Sequence, residues 1–319
     1  MNRAREHILT RLGMSKSPVS GDELAAELGL SRAGVWKHIQ MLKKSGIAIE
    51  AQAGKGYLLS EDVFSAGLIR AKLSTSCIGK QVMILEETGS TNRDAMAEAE
   101  AGAPEGLVIF ANRQTSGKGR LGRRWHTMPE SLAASVLLRP ELPPEQVPQL
   151  SLLTAVALHD ALNRYCPDIR IKWPNDLLCH GAKLAGILTE MRAEPGRVHA
   201  VVLGFGINLV APADGWPSDI DKPATDLASI STAPISKTAL AASIINALDR
   251  WYAIYLQDGF APVHRAWWQA HAASGAKVSV YDGRKYIEGV ARALDDDGAL
   301  LLETAGGTQR IIAGDLELI

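Results

Sequence analysis

The sequence predicts an α+β fold in three parts: a helical head closed by a hairpin, a mixed sheet with helices, and a short all-strand tail. Three observations lead there. Apolar residues recur at helical spacing up to about residue 45 and give way to a glycine-centred hairpin. From Val63 onward, strand-like runs alternate irregularly with helices. After Lys277 only short strands remain, separated by Asp-Gly and Gly-Gly turns that suit a small β-barrel. At 319 residues the chain exceeds one ordinary core, and the composition shifts divide it into 1–62, 63–272 and 273–319.

In the head, Ile8, Leu9 and Leu12 give the first helix an apolar stripe. Ser20-Gly-Asp-Glu23 is a capping box opening a second helix through Leu28, and Gly29 suits its left-handed cap. Ser31 can cap a third helix, to about Ser45, whose Val35, Ile39 and Leu42 face inward. Residues 47–59 turn at Gly54-Lys55-Gly56 and read as a hairpin. Three helices and a hairpin form the winged helix-turn-helix layout. Arg32, Trp36, Lys37, Gln40 and Lys44 lie off the apolar stripe, where long cationic and amide side chains suit phosphate contacts and base-edge reading.

Strands are expected at 82–86, 107–114, 132–138, 169–173, 185–191 and 198–205, and helices at 91–101, 146–165 and 237–257. Two strands follow each other directly between 107 and 138, so a purely alternating parallel sheet is not expected. Residues 211–224, rich in Pro, Gly and Asp, read as a mobile surface loop. Another helix holds Trp267 and Trp268.

Composition bounds the function. No apolar run approaches the ~20 residues of a membrane helix, and the charged start is no signal peptide. Cys77, Cys166 and Cys179 lack CxxC spacing, which argues against a zinc site or disulfide framework and fits a cytoplasmic protein. His180 reads as a turn residue rather than a ligand. Net charge is −1, but residues 1–60 hold nine Lys and Arg against five Asp and Glu, so nucleic-acid contact belongs to the head.

Four cations within Lys118, Arg120, Arg123 and Arg124 follow Gly117 in the run Gly117-Lys-Gly-Arg-Leu-Gly122-Arg-Arg124. Glycines admit a ligand to the backbone and the cations neutralise phosphate oxygens. The run matches GxGxxG, yet it leads toward a strand rather than a helix, and it lacks the GK[ST] ending of a P-loop. Lys172-Trp-Pro-Asn-Asp176 ends a strand with a cation for phosphate and a carboxylate for magnesium. Lys183 opens an apolar strand, where it faces inward only if a negative partner waits. Gly89-Ser-Thr-Asn92 places hydroxyls and an amide at a helix N-terminus, and Gly204-Phe-Gly-Ile-Asn208 ends a buried strand.

Together, GSTN at 89–92, RQTSGKGRLGRRW at 113–125, KWPND at 172–176, KLAGIL at 183–188 and GFGINL at 204–209 resemble the biotin protein ligases. SRAGVWKHIQMLKKSG at 31–46 and GKGYLL at 54–59 resemble the head of the bifunctional form, ligase and biotin operon repressor. The resemblance spans essentially the whole chain. It implies a central domain like that of class II aminoacyl-tRNA synthetases and an SH3-like terminal barrel. It implies ATP-dependent formation of biotinyl-5′-AMP, and transfer of biotin to a lysine of the biotin carboxyl carrier protein of acetyl-CoA carboxylase. The adenylate would act as corepressor, promoting a homodimer on operator DNA.

By the same resemblance, Lys183, Arg120 and Lys118 are catalytic, and Ser90, Thr91, Asn92 and Gln114 line the biotin pocket. Gly117, Gly119, Gly186, Gly204 and Gly206 shape that pocket around Lys118, Arg120 and Lys183. Arg123, Trp125, Lys172 and Asn208 surround ATP, and Asp176 holds Mg2+. The base for the acceptor amine is not readable from the sequence, Asp176 being one candidate. Ser31, Arg32, Ala33, Trp36, Lys37, Gln40 and Lys55 would contact DNA. Lys118 stands where familiar members carry arginine, which keeps the charge and loses the bidentate fork. Two rival functions are a ligand-sensing transcription factor without ligase activity, and a ligase for lipoate or another acyl group. They would be separated by ATP-dependent acyl transfer.

Overall fold

A computed structural model describes residues 3–60, 62–126, 128, 130–220 and 222–319. Asp221, in the segment 211–224, lies outside the described residues, as do Met1, Asn2, Glu61, Thr127 and Pro129. The chain forms two compact units, Met1–Ser74 with Ser236–Ser243, and Thr75–Ile235 with Ile244–Ile319.

The first unit contains α1 (Arg3–Met14), α2 (Gly21–Leu28) and α3 (Arg32–Lys44), then a hairpin of β1 (Ile49–Gln52) and β2 (Gly56–Leu59). The serine and glycine caps fall where the sequence calls for them, with the serine half of the Ser20–Glu23 capping box formed. Ser20 Oγ accepts the N–H groups of Asp22 and Glu23, and Ser31 Oγ accepts that of Gly34 at 3.1 Å. Gly29 ends α2 at φ +63°. Ile8, Leu9, Leu12, Leu24, Val35, Ile39, Leu42 and Ile49 close a core of their own. Truncating Leu42 to Ala would cost about 2–5 kcal/mol by the cavity it leaves. Val19 and Tyr57 exchange backbone hydrogen bonds and tie the α1–α2 connection to the hairpin. A side chain at Gly56 would drive its Cβ to 2.1 Å from Val19 O.

A short helix, α4 (Ala66–Arg70), extends this unit beyond residue 62 by packing Leu68 against Gly13 of α1. Five residues are too few to show a helical period, so the sequence alone does not reveal it.

In the second unit, seven strands run in the order β3-β4-β5-β9-β8-β7-β6. They are β3 (Gln81–Thr88), β4 (Leu107–Gln114), β5 (Ser131–Leu138), β6 (Ile169–Lys172), β7 (Asp176–Cys179), β8 (Ala182–Glu194) and β9 (Arg197–Asn208). Only β3 and β4 pair in parallel. The expected strands are all present. β7 was not expected, because its four residues follow directly on the Trp-Pro-Asn turn and read as part of it. α5 (Thr91–Glu100) covers one face over Leu107, Ile109, Leu137 and Val202. α6 (Val147–Leu162), buried on nearly every side, packs on β6–β9 and on α9 (Ala261–Ala270). α7 (Leu227–Ile230) is a single capped turn, and α8 (Lys237–Asp258) begins within the first unit.

The tail is a five-stranded antiparallel sheet of β10 (Lys277–Tyr281), β11 (Tyr286–Leu294), β12 (Leu300–Thr304), β13 (Gly307–Ile311) and β14 (Asp315–Leu318). Its order, β13-β12-β11-β10-β14, leaves β13 and β14 as edges, so the expected barrel is open between them among the described residues. The β6–β7 hairpin brings together Cys166 and Cys179, whose sulfurs lie 3.4 Å apart. The absence of CxxC spacing gives no sign of this approach in the sequence.

Candidate active site

Strand register hollows out one face of the central sheet beside α5. Ser135 of β5 faces Gly204 of β9, and Gly206 faces Gly186 of β8. With period 2, Gly204 and Gly206 point to the same side, so three glycines leave a trough where side chains would stand. A Cβ at Gly204 would lie 2.0 Å from Asn92 Oδ1, and one at Gly206 would lie 2.4 Å from the Trp125 ring. The resulting cavity of about 130 Å³ is lined by Ser90, Thr91, Asn92, Gln114, Lys118, Gly119, Arg120, Lys183, Gly186, Gly204 and Gly206.

One end of the cavity is polar and uncharged. The N-terminus of α5 points its Thr91 N–H at Gln114 Oε1, 2.9 Å away. Ser135 Oγ lies 2.6 Å from Asn92 Oδ1 and 2.7 Å from Thr91 Oγ1. Asn92 Nδ2 donates to Glu190 and to the Leu188 carbonyl. Thr91, Asn92 and Ser135 are buried and mutually bonded, which fixes their orientation. Ser135 and Glu190 escaped the sequence reading, since they are single polar residues inside strands.

The other end is cationic. Residues 117–125 double back on themselves: Trp125 N donates to Gly117 O, Gly119 N donates to Arg123 O, and Lys118 bridges Arg124. Leu121 at φ +55° and Gly122 at φ +76° turn the tip, leaving Leu121 exposed. No α-helix opens here. Gly117 lines neither cavity among the described residues. A Cβ there would strike Trp125 O at 2.5 Å, so its place is the crowded base of this turn.

Lys183 meets the negative partner its position demanded. A bulge in the β7–β8 pairing re-aims it, and its Nζ reaches Asp176 Oδ1 at 2.7 Å. The Trp125 ring centroid lies 5.7 Å away. Asn175 anchors the turn by bonding the Ile187 backbone, and Lys183 pins the end of the 211–224 loop through Pro223 O and Thr225 N.

A second cavity, of about 540 Å³, adjoins the first and shares Arg123, Trp125, Asp176 and Lys183. Lys172, Asn208, Trp216, Lys222, Tyr281 and Tyr286 complete its wall. Asn208 Nδ2 holds the Thr225 carbonyl at 3.1 Å. The terminal sheet contributes Asp315, which forms an ion pair with Arg123. No sequence signal marked Asp315, because its role depends on a contact 192 residues away.

Burial lowers the Arg120 guanidinium from its ordinary value, against the pull of Asp315 and Asp176. Burial, with Lys222 and Lys183, likewise lowers Lys172, while Asp176 and Asp315 oppose. Burial raises Asp315, but the Arg123 hydrogen bond and neighbouring cations win, leaving it below the carboxylate range. Crowded cations next to carboxylates are a surface built for anions.

In the head, Arg32, Ala33, Trp36, Lys37 and Lys55 are exposed and Gln40 is half-buried. Ser31 is exposed, with its oxygen engaged as the cap. Arg32 has an exposed 3.7 Å contact to Asp22, worth little in water.

Residues 85–208 match the Biotin/lipoate A/B protein ligase family, 4–58 match an HTH domain, and 273–318 match the Biotin protein ligase C terminal domain. A bifunctional ligase/repressor, BirA, of Bacillus spizizenii is 36% identical over 304 residues, 94% of either chain. This chain belongs to the bifunctional biotin ligase/repressor family. The Escherichia coli ligase/repressor is 32% identical over 312 residues, covering 94% of this chain and 92% of its own. A biotin protein ligase from Aquifex aeolicus, solved in complex with biotin and ATP, superimposes with a TM-score of 0.63. It is 25% identical and covers 75% of this chain and 99% of its own. The chain is thus a biotin ligase joined to a DNA-binding repressor head. Among the described residues, no helix is long and apolar enough to cross a membrane.

Proposed function

We propose that the two adjoining cavities bind biotin and ATP so that a carboxylate meets the α-phosphate between Lys118, Arg120 and Lys183. The observation behind this reading is the polarity gradient of the glycine-floored cavity. Its uncharged, hydrogen-bonded end at Ser90, Thr91, Asn92 and Gln114 suits a neutral polar ring, and its cationic end opens on the larger cavity.

The chemistry needs no catalytic triad. A carboxylate is already nucleophilic at neutral pH, and its difficulty is repulsion by the triphosphate. Lys118, Arg120 and Lys183 offset that repulsion, hold the reactants in line and stabilise charge on the departing pyrophosphate. Trp125, Trp216, Tyr281 and Tyr286 offer aromatic faces to the adenine, with Arg123, Lys172 and Asn208 beside the phosphates. The doubled-back 117–125 loop excludes water from the mixed anhydride biotinyl-5′-AMP. An acceptor lysine amine then attacks the acyl carbon and AMP departs. Asp176 is one candidate to receive the amine's proton.

A hard cation that binds through one or two carboxylates plus substrate phosphates fits Asp176. When bound, Mg2+ would neutralise the phosphate oxygens.

The physiological acceptor is a biotin carboxyl carrier protein, and the site of action is the cytoplasm. Residues 1–62 are the DNA-binding domain, 63–272 the catalytic domain and 273–319 the terminal domain. Ser31, Arg32, Ala33, Trp36, Lys37, Gln40 and Lys55 form the DNA face, which reads an operator of biotin-synthesis genes. The chain is to be incubated with ATP, Mg2+ and labelled biotin or lipoate, with and without an unmodified carrier domain. Stable labelling of the carrier lysine by biotin and not by lipoate is expected. Labelling by lipoate alone, or none by either, would overturn the assignment.

A further inference from the structure

Away from the two cavities, Cys166 and Cys179 meet at the open end of the β6–β7 hairpin. Both are buried, with their sulfurs 3.4 Å apart. His180 follows at φ +48° in the turn to β8, next to Gly181 at φ +79°. The Cys166, Cys179 and His180 donor atoms all lie within 4.8 Å of one another. Asp168 places a carboxylate oxygen 3.9 Å from His180 Nε2. We propose that Cys166, Cys179 and His180 form a Zn2+ site, with Asp168 orienting the imidazole and the fourth position open to solvent.

The donor set selects the ion. Two thiolates and an imidazole suit zinc, and they suit magnesium or calcium poorly. Zn–S bonds of about 2.3 Å in a tetrahedron set the sulfurs about 3.8 Å apart. The two sulfurs therefore need to spread by only a few tenths of an ångström. A disulfide would employ the sulfurs and leave the imidazole and carboxylate without a role. Metal binding exchanges two thiol protons for the cation and releases them to solvent. Because the ligands bind only when deprotonated, affinity falls as pH is lowered. The site clamps the base of the hairpin whose opposite end carries Lys172 and Asp176.

The test is a titration of the reduced, chelator-treated full chain with Co2+, followed by displacement with Zn2+. One equivalent of cobalt with thiolate–cobalt charge-transfer absorption is expected, and Zn2+ should abolish the absorption. Cys166→Ala and Cys179→Ala should remove it. His180→Asn sits in an exposed turn that tolerates positive φ, so it should fold, and it should weaken binding roughly tenfold or more. Asp168→Asn should weaken it less than His180→Asn does, because the carboxylate stands 3.9 Å from the imidazole and acts through its charge. Absence of the charge-transfer band, or equal cobalt uptake by wild type and His180→Asn, would overturn the site. So would mild peroxide converting the pair to a disulfide in a chain that takes up no metal when reduced.

Discussion

Lys183 illustrates how a single residue can announce itself. It opens the apolar run at the start of β8, and the physical demand for a counter-charge is met by Asp176 at 2.7 Å. Arg120 differs. It bonds only weakly, to Asn175 Oδ1 and Gly314 O at 3.4 Å each, which leaves its charge available for an anionic ligand. Arg120→Gly should therefore loosen retention of the adenylate more than its synthesis. Released biotinyl-5′-AMP, and biotin on bystander lysines, should rise in the variant. An inactive variant that never releases adenylate would remove Arg120 from the clamp. Asp315 marks the limit of residue-level reading, since an aspartate near the C-terminus is indistinguishable from a solvated one until β14 is placed beside Arg123.

At the scale of elements, periodicity revealed most of what matters. The Gly-Phe-Gly run of β9 is a period-2 pattern, and its register against Gly186 and Ser135 makes the trough. The caps at Ser20, Ser31 and Gly29 were equally legible, because each depends on local hydrogen bonds. Short elements were not: β7 has four residues and α4 five. The junction of α9 with β6 adds a stability device that no motif shows. His271 Nδ1 donates to Ile171 O at 3.0 Å while its ring stacks on Trp267. Burial lowers His271 from 6.5 to about 4, although the Ile171 bond works in the opposite direction. Between those values the unfolded chain binds the extra proton, so stability is fully present above about pH 6.5 and is lost as pH falls through about 4. The loss between pH 7 and pH 5 should be about 2 kcal/mol. Denaturant midpoints of wild type and His271→Gln should show a flatter pH response in the variant. Equal slopes would mean that another group titrates.

At the scale of the whole molecule, the basic head on a mildly acidic body was visible in charge counts, and the comparison with ligase/repressors gives that division a function. Deleting residues 1–62 should abolish operator binding and leave some ligation, at lower efficiency and stability, because Leu68 and Ile69 lose their cover. Specific DNA binding by the truncated chain would place the DNA site elsewhere. One winged helix offers a limited interface, so tight operator binding calls for two heads on two half-sites. If adenylate orders the 117–124 and 211–224 segments and thereby favours pairing, dimerisation must tighten adenylate binding by the same factor. Sedimentation and operator affinity, measured with and without biotin plus ATP, should shift together and revert when unmodified carrier domain is added. Constancy of both would leave a ligase and DNA binder without the switch.

The central chemical claim is that Lys183 and its cationic neighbours build an acyl-adenylate before any acceptor arrives. Its most direct test is isotope exchange between ATP and pyrophosphate in the absence of carrier protein. Exchange should require biotin, fail with lipoate, and slow by roughly 30- to 1,000-fold in Lys183→Ala, the scale of losing about 2–4 kcal/mol of electrostatic stabilisation. Far-ultraviolet circular dichroism should show the variant folded. Exchange that appears only with carrier present, or proceeds at the wild-type rate in folded Lys183→Ala, would contradict it.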